Sequence, residues 1–390
     1  MRSGRSNRWI GVAVLVASCA TVMACTPPTP AAPTTTITSV PGPPVVNRFS
    51  VSAKRQAAPV VGTLSWSIGD PNGDALRCRV DTDGDGTFDR SIDSCDSSDL
   101  VLVSVPEAGS RTFSLEVSDA TSSPVIARTT LVAAEGTPGG FQITLLFDSG
   151  LAPEYRAAFD AAAARWSQVI TADVPGQQAE IPEGFLGWMP GFSGVVDDVL
   201  ILARDYDIDG AGGTLGRAGA LQARPSNGLP YVGVMEFDTA DLARLSSSGR
   251  LGSVIEHEMG HVLGLGSGWV LQGLVDDALS EPRYNGAGGV AAWQELGGIG
   301  RVPVENQGGA GTALAHWRES TFGNELMTGY SDPDERLSRL TVAALADQGY
   351  GVDLGAADRY SLPATSSLRA PQDPVGHTDP VAPLPPGTFG

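Results

Sequence analysis

One stretch restricts this chain more than any other: "IEHEMGHVLGLGSGW", residues 255–269. His257 and His261 stand four apart, which on a helix places both imidazoles on one face, with Glu258 beside the first. Two histidines and a carboxylate in the pattern H-E-x-x-H are the arrangement by which a helix grips a zinc ion and keeps a base next to it. A hydrolytic zinc site takes three protein ligands and leaves one position open. In the compact long form of the motif the third histidine follows the glycine by three residues. Here Gly264 is present, but Ser267 stands where that histidine belongs. The bland reading, an ordinary helix that spells H-E-x-x-H, is disfavoured in a chain with only four histidines.

The remaining histidines are His316 and His377. His377 lies in the Pro-rich end of the chain, where ordering a ligand costs chain entropy. His316, in "GAGTALAHWRES", is the candidate third ligand by elimination. Glu319 and Glu325 are carboxylates close enough in sequence to compete with it.

The rest of the chain reads in blocks. "MRSGRSNR" is positively charged, and "WIGVAVLVASCATVMA" is apolar but short for a membrane span. Cys25 and "TPPTP" come next. That order is a secretory signal over 1–25, and it resembles the lipobox of bacterial lipoproteins, which implies lipidation at Cys25; "VAS" before Cys19 is a competing site. Residues 26–46 are Pro/Thr-rich and read as a linker. Residues 47–135 alternate short apolar runs with turn signals ("GDPNGD", "DTDGDG", "PEAGS"), the pattern of an all-β sandwich. The "DPNGD" turn and "FSLEVSD" strand resemble cadherin-like and polycystic-kidney-disease-type immunoglobulin-fold modules. In an exported chain Cys78 and Cys95 are most simply a disulfide. From 136 to 362 strands and helices mix: "FQITLLFD", a helix at "PEYRAAFDAAAARWSQVI", "VVDDVLILAR", "YVGVMEFD", the H-E-x-x-H helix, and a last helix at "LSRLTVAALADQGYG". Residues 363–390 form a Pro-rich tail that reads as disordered.

The formal net charge of -19 excludes nucleic acid as a partner, because phosphates would be repelled. It suits cations. "DTDGDGTFD" sets Asp81, Asp83, Asp85 and Asp89 at the first, third, fifth and ninth positions of an EF-hand-type loop, with Ile92 where the last glutamate belongs. It is a candidate calcium loop. Asp205, Asp207 and Asp209 in "DYDIDGAGGTLG" are a second, which resembles the Gly-rich loop of matrix-type metzincins. In each case a solvated acidic turn is the plain alternative.

From about 250 to 362 the chain resembles the leishmanolysin family of metzincin peptidases, in which a long segment precedes the third histidine. "VPVENQGGAGTALAHWRESTFGNELMTGY" is similar to the family segment carrying that histidine and the Met-turn, and "AAFDAAAARWSQVITADVP" to the first helix of such domains. The resemblance implies an α+β metzincin-like zinc peptidase domain preceded by an all-β immunoglobulin-like sandwich. It also implies one Zn2+ per chain on His257, His261 and His316, Glu258 as general base for the attacking water, and Met327 supporting the site without binding metal. Protein or peptide substrates would lie along an edge strand, with "YVGVMEFD" in the matching place in sequence. The chain departs from the family at Gly329, where some metzincins carry a tyrosine that approaches the zinc, and it has no unpaired cysteine for latency once Cys78 and Cys95 are joined. The expectation is an exported zinc endopeptidase, anchored by lipid on the outer face of a bacterial membrane or, without the lipid, secreted. The alternative is an inactive surface adhesion protein on a peptidase fold.

Overall fold

The computed structural model describes residues 42–364 apart from 55, 96–99, 137–138, 149, 277–280 and 310. Cys25 and His377 lie outside the described residues. The described residues belong to one compact unit.

Seven strands come first: β1 (Val45–Ser52), β2 (Val60–Gly69), β3 (Arg77–Asp81), β4 (Arg90–Ile92), β5 (Val101–Val105), β6 (Gly109–Ser118) and β7 (Val125–Ala133). They pair antiparallel as two sheets, β1-β2-β5 and β4-β3-β6-β7. The period-2 alternation turns one side of each strand inward. Val60, Leu64 and Trp66 from one sheet meet Val80, Phe113, Leu115 and Val117 from the other in a single buried cluster. Cys78 on β3 is joined to Cys95 by a disulfide inside that cluster.

β8 (Ile143–Phe147) opens the second part and is followed by α1 (Pro153–Val169). Pro153 presets the first turn and Glu154 complements the positive helix end. β9 (Gln177–Ile181) and β10 (Phe192–Val196) form a hairpin. β11 (Val199–Tyr206), β12 (Gly216–Ala223) and β13 (Pro230–Asp238) complete a sheet of order β12-β13-β11-β8. β8, β11 and β13 run parallel and β12 antiparallel. α2 (Thr239–Ser247), α3 (Leu251–Val262) and α4 (Ser267–Leu271) follow, then β14 (Val275–Asp276), β15 (Arg283–Tyr284), α5 (Ala287–Glu295), β16 (Val302–Pro303), α6 (Glu319–Phe322) and α7 (Arg339–Gln348). Phe159 and Trp166 of α1, Phe237 of β13 and Ile255, Met259 and Val262 of α3 fill the core between sheet and helices.

One expectation is corrected by the sheet order. Residues 231–238 do not lie at an edge: β13 is bonded on both sides, and every residue of it is buried. A strand whose amides and carbonyls are already paired cannot accept another chain. On this side of the sheet the edge is β12, which runs antiparallel to β13, and α3 lies against both.

The two parts are not beads on a string. Val61 and Leu102 of the first part share a buried cluster with Ile181, Met189, Phe192, Leu200 and Val232 of the second. Gly194 permits the closest approach, since a Cβ there would sit 2.5 Å from Cβ of Ser104.

Candidate metal centre

α3 begins after Arg250, whose guanidinium holds Ser331 (2.7 Å to its carbonyl oxygen). Its apolar positions Leu251, Val254, Ile255, Met259 and Val262 are buried in the core, and His257 and His261, one turn apart, are buried along one stripe. The helix ends at Leu263 and Gly264, the latter at φ 98°. Gly266, also in the left-handed region at φ 86°, then lets the chain pass directly over Ala315: a Cβ at Gly266 would lie 2.3 Å from the Ala315 carbonyl oxygen. That crossing brings His316 to the helix.

The result is a cluster of His257, His261 and His316 with ligand atoms within 4.8 Å of one another. Nε2 of His257 is 3.0 Å from Nε2 of His261 and 3.3 Å from Nε2 of His316. All three residues are at most 3 % exposed. Each Nδ1 faces a backbone carbonyl: Leu326 for His257 (2.6 Å), Leu265 for His261 (2.9 Å) and Thr312 for His316 (2.9 Å). A carbonyl only accepts, so each Nδ1 carries the proton and each Nε2 of a neutral ring presents a lone pair. Burial favours the neutral form of two of the rings, pushing His257 down to about 3, with His316 beside it as the second cause, and His316 down to about 4. Three lone pairs aimed at one point repel one another unless a cation sits among them. A tetrahedral zinc about 2.0–2.1 Å from each nitrogen sets the nitrogens about 3.3 Å apart, so the donor set fits that ion. The tautomers are selected by carbonyls, as is usual for metal-binding imidazoles.

Glu258 is fully buried beside this cluster, and burial alone pushes its carboxyl well above the usual range. Met327 is buried beneath α3, where Gly260 leaves room for it: a Cβ at Gly260 would lie 2.9 Å from the Met327 Sδ. Gly329 is a second close approach, its virtual Cβ 2.7 Å from Thr312 Cγ2 and 3.7 Å from His316 Cγ.

Glu325 and Glu319, the competing carboxylates, do not join the histidine cluster. Glu325 is wholly buried and accepts from the Met327 amide (2.6 Å), the Ser338 hydroxyl (2.6 Å) and amide (3.2 Å), and the Thr341 hydroxyl (2.5 Å). Thr341 Oγ1 in turn accepts from Trp317 Nε1 (2.8 Å). A single carboxylate thus ties the residue after His316, the Met327 turn and the start of α7, which Ser338 caps. Sequence reasoning missed this role. The available signal was a charged residue directly ahead of the apolar pair Leu326 and Met327.

The calcium candidates fare differently from one another. Asp81, Asp83 and Asp85 come together, but their carboxylates already take the amides of Gly84, Gly86, Asp85 and Thr87. Asp89 turns to the amide and hydroxyl of Thr82. Asp205, Asp207 and Asp209 form no such group among the described residues. Asp209 accepts from Thr214, and the Gly-rich loop is held instead by Asp238, which accepts from the amides of Ile208, Asp209 and Gly210.

A helix bearing two histidines and a carboxylate, with a third histidine delivered from a distant segment, is a donor set able to hold one metal ion. More particularly, residues 291–366 match the family model Peptidase_M8, leishmanolysin. The chain is 31 % identical over 136 residues to a leishmanolysin of Leishmania donovani, covering 32 % of this chain and 23 % of that relative. It is 49 % identical over 47 residues to a leishmanolysin-like peptidase of Caenorhabditis briggsae, covering 12 % of this chain and 7 % of the relative. The chain therefore spans less than a quarter of the length of these relatives. At the level of family, the matches support a peptidase. Among solved structures, the PKD1 domain of Vibrio anguillarum Epp matches at 20 % identity and a TM-score of 0.19, covering 25 % of this chain and all of that one.

Proposed function

We propose that this protein is a zinc-dependent endopeptidase of metzincin-like build, exported and held at a membrane surface through lipid on Cys25. The observation that carries the reading is the convergence of three Nε2 lone pairs whose opposite nitrogens are each fixed by a carbonyl. The family matches support the reaction class.

His257, His261 and His316 would hold the ion. When bound, zinc supplies Lewis-acid polarisation and makes a water acidic enough to lose its proton near neutral pH. Glu258 is the base. Buried and one residue from a ligand, it takes the proton on its carboxylate and later gives it to the leaving amine. The free edge of β12 offers amides and carbonyls to an extended peptide, and pairing of this kind gives affinity with loose side-chain preference.

The test pairs zinc analysis with digestion of casein. The wild type should hold about one zinc per chain and lose cleavage with a chelator. Glu258→Ala should keep the zinc and lose cleavage by at least about 10³-fold. Zinc retained with undiminished activity in the variant would overturn the mechanism. Zinc bound with no cleavage by the wild type would favour a surface binding protein on the same fold.

A further inference from the structure

The face of the sheet turned away from α3 carries a charged group that the histidine site does not use. Glu236 on β13 is 3 % exposed and lies between Arg204 on β11 and Arg217 on β12. Both of its oxygens are fully engaged. Oε1 meets Arg204 Nε (2.7 Å), Arg204 Nη2 (2.6 Å) and Trp188 Nε1 (3.1 Å), and Oε2 meets Arg217 Nε and Nη2 (both 2.7 Å). Aromatic rings fix the two guanidinium groups. That of Arg204 lies 4.6 Å from the Trp188 ring centre and 4.2 Å from that of Tyr206. That of Arg217 lies 5.3 Å from the Tyr206 ring centre and donates to the Tyr206 hydroxyl.

Joining β11, β13 and β12 accounts for the bonds to Glu236. It does not account for the charge. One carboxylate balances one of two guanidinium groups, so a cation is left over in a chain of net charge -19. The side chains of Arg204 and Arg217 remain 18 % and 24 % exposed, and Nη1 of each donates to no partner among the described residues. A guanidinium held in one plane with an unused N–H edge suits a second carboxylate. Its place in the sheet also matters. Gly233 packs on Val262 of α3, the residue after His261, since a Cβ there would lie 2.3 Å from Val262 Cγ1. Gly233 pairs with Ala220 of the open strand β12. Arg217 is three residues from Ala220, about 10 Å along that strand.

We propose that Arg217, backed by Arg204, is a specificity residue that selects a carboxylate on the peptide lying along β12. The inference rests on the peptidase reading above and names its substrate class, peptides with an acidic group a short way along the strand from α3. Side chains of a paired strand alternate between faces, and directly opposed residues stand about 4.5–5.5 Å apart at Cβ. An Asp or Glu opposite Arg217, on the face away from α3, therefore comes within reach of its Nη1. A chain-terminal carboxylate ending at the same place offers the same chemistry. Because Glu236 and the Tyr206 ring already hold the guanidinium, little rotamer freedom is lost when it binds.

Synthetic decapeptides with Glu, Gln or Lys at each position in turn, made with free and with amidated C-termini, test this on the zinc-loaded full chain. At one position Glu should lower KM about tenfold relative to Gln, with kcat little changed and Lys the poorest. A preference removed by amidation instead identifies the chain terminus as the carboxylate recognised. Arg217→Gln should abolish the preference. Arg128→Gln, an equal change of charge on an exposed residue of β7, should keep it. If Arg217→Gln loses its far-ultraviolet dichroism, the wild-type comparison of Glu with Gln peptides decides alone. Zinc-loaded Glu258→Ala separates this idea from the peptidase reading. Fluorescence anisotropy of labelled Glu and Gln peptides on that variant should show the same difference of about tenfold in Kd even if the wild type cleaves nothing. Equal affinity for Glu, Gln and Lys peptides, free or amidated, would overturn the proposal. So would a preference that Arg217→Gln leaves intact.

Discussion

At the scale of residues, the site depends on what holds the imidazoles as much as on the imidazoles. The carbonyl of Leu326 sets the tautomer of His257, and Leu326 sits between Glu325 and Met327. Glu325 carries the whole arrangement. Desolvation pushes its carboxyl upward, and hydrogen bonds from Ser338, Thr341 and Met327 oppose that push. Glu325→Ala would leave those buried donors facing no acceptor, at about 1–3 kcal/mol for each. We expect a lower Tm and zinc release faster by roughly 10–100-fold, the usual consequence of losing a group behind a ligand. A chromophoric chelator reads the release rate. Glu325→Gln, which keeps one carbonyl oxygen, should recover part of it; unchanged release in both variants would remove Glu325 from the site.

At the scale of elements, α3 brings two histidines together by its own periodicity, and the third histidine depends on a chain crossing. Gly266 makes that crossing possible, with positive φ and only backbone beside it. Gly266→Ala is strained in the left-handed region and drives a Cβ into the Ala315 carbonyl. Because backbone cannot swing aside like a side-chain tip, we expect destabilisation on the order of 3 kcal/mol or more and loss of zinc stoichiometry. Gly273→Ala is the control: it also has positive φ, but a Cβ there meets nothing within 4 Å. Equal zinc content in the two variants would show that the crossing does not set the third ligand.

At the scale of the whole molecule, buried carboxylates give stability a pH dependence. Asp198 joins β8 and the segment after α1, accepting from the amides of Gln142 (2.9 Å) and Val174 (2.8 Å). Burial outweighs those bonds, and the carboxyl is pushed up to about 7. Glu335 is pushed to about 7 for the same first reason. A folded-state pKa above the unfolded value means that the folded form binds more protons. The stabilisation is fully present below the unfolded value of about 4 and is lost as pH rises through about 7. With zinc saturating, Tm should fall between pH 5 and pH 7.5. Asp198→Asn, tolerated at φ 49° because asparagine enters that region readily, should flatten the fall by about 2–4 °C. A slope unchanged by the substitution would assign the effect to other groups.

Much of this was legible in the residues alone, and the division has a physical cause. Helical spacing determines that His257 and His261 share a face, because four residues is close to one turn. Alternation of apolar and polar residues determines the strands before residue 135, and proline and glycine mark where they stop. These signals are local, so neighbours in the chain carry them. His316 could be reached only by elimination or by resemblance, since nothing in "TALAHWRES" says which helix it will meet. Gly266, Ala315 and the Glu325 network decided that meeting. The sheet order was also beyond the local signal. "YVGVMEFD" reads as a strand, and its continuous apolar character was a hint of burial on both faces. Only pairing with β11 and β12 showed it to be interior and left β12 as the open edge. The acids of "DTDGDG" and "DPNGD" look alike as letters. In both turns the first aspartate accepts from amides of its own turn, whereas Glu325 gathers donors from distant segments, and where those segments fold the tertiary structure alone decided.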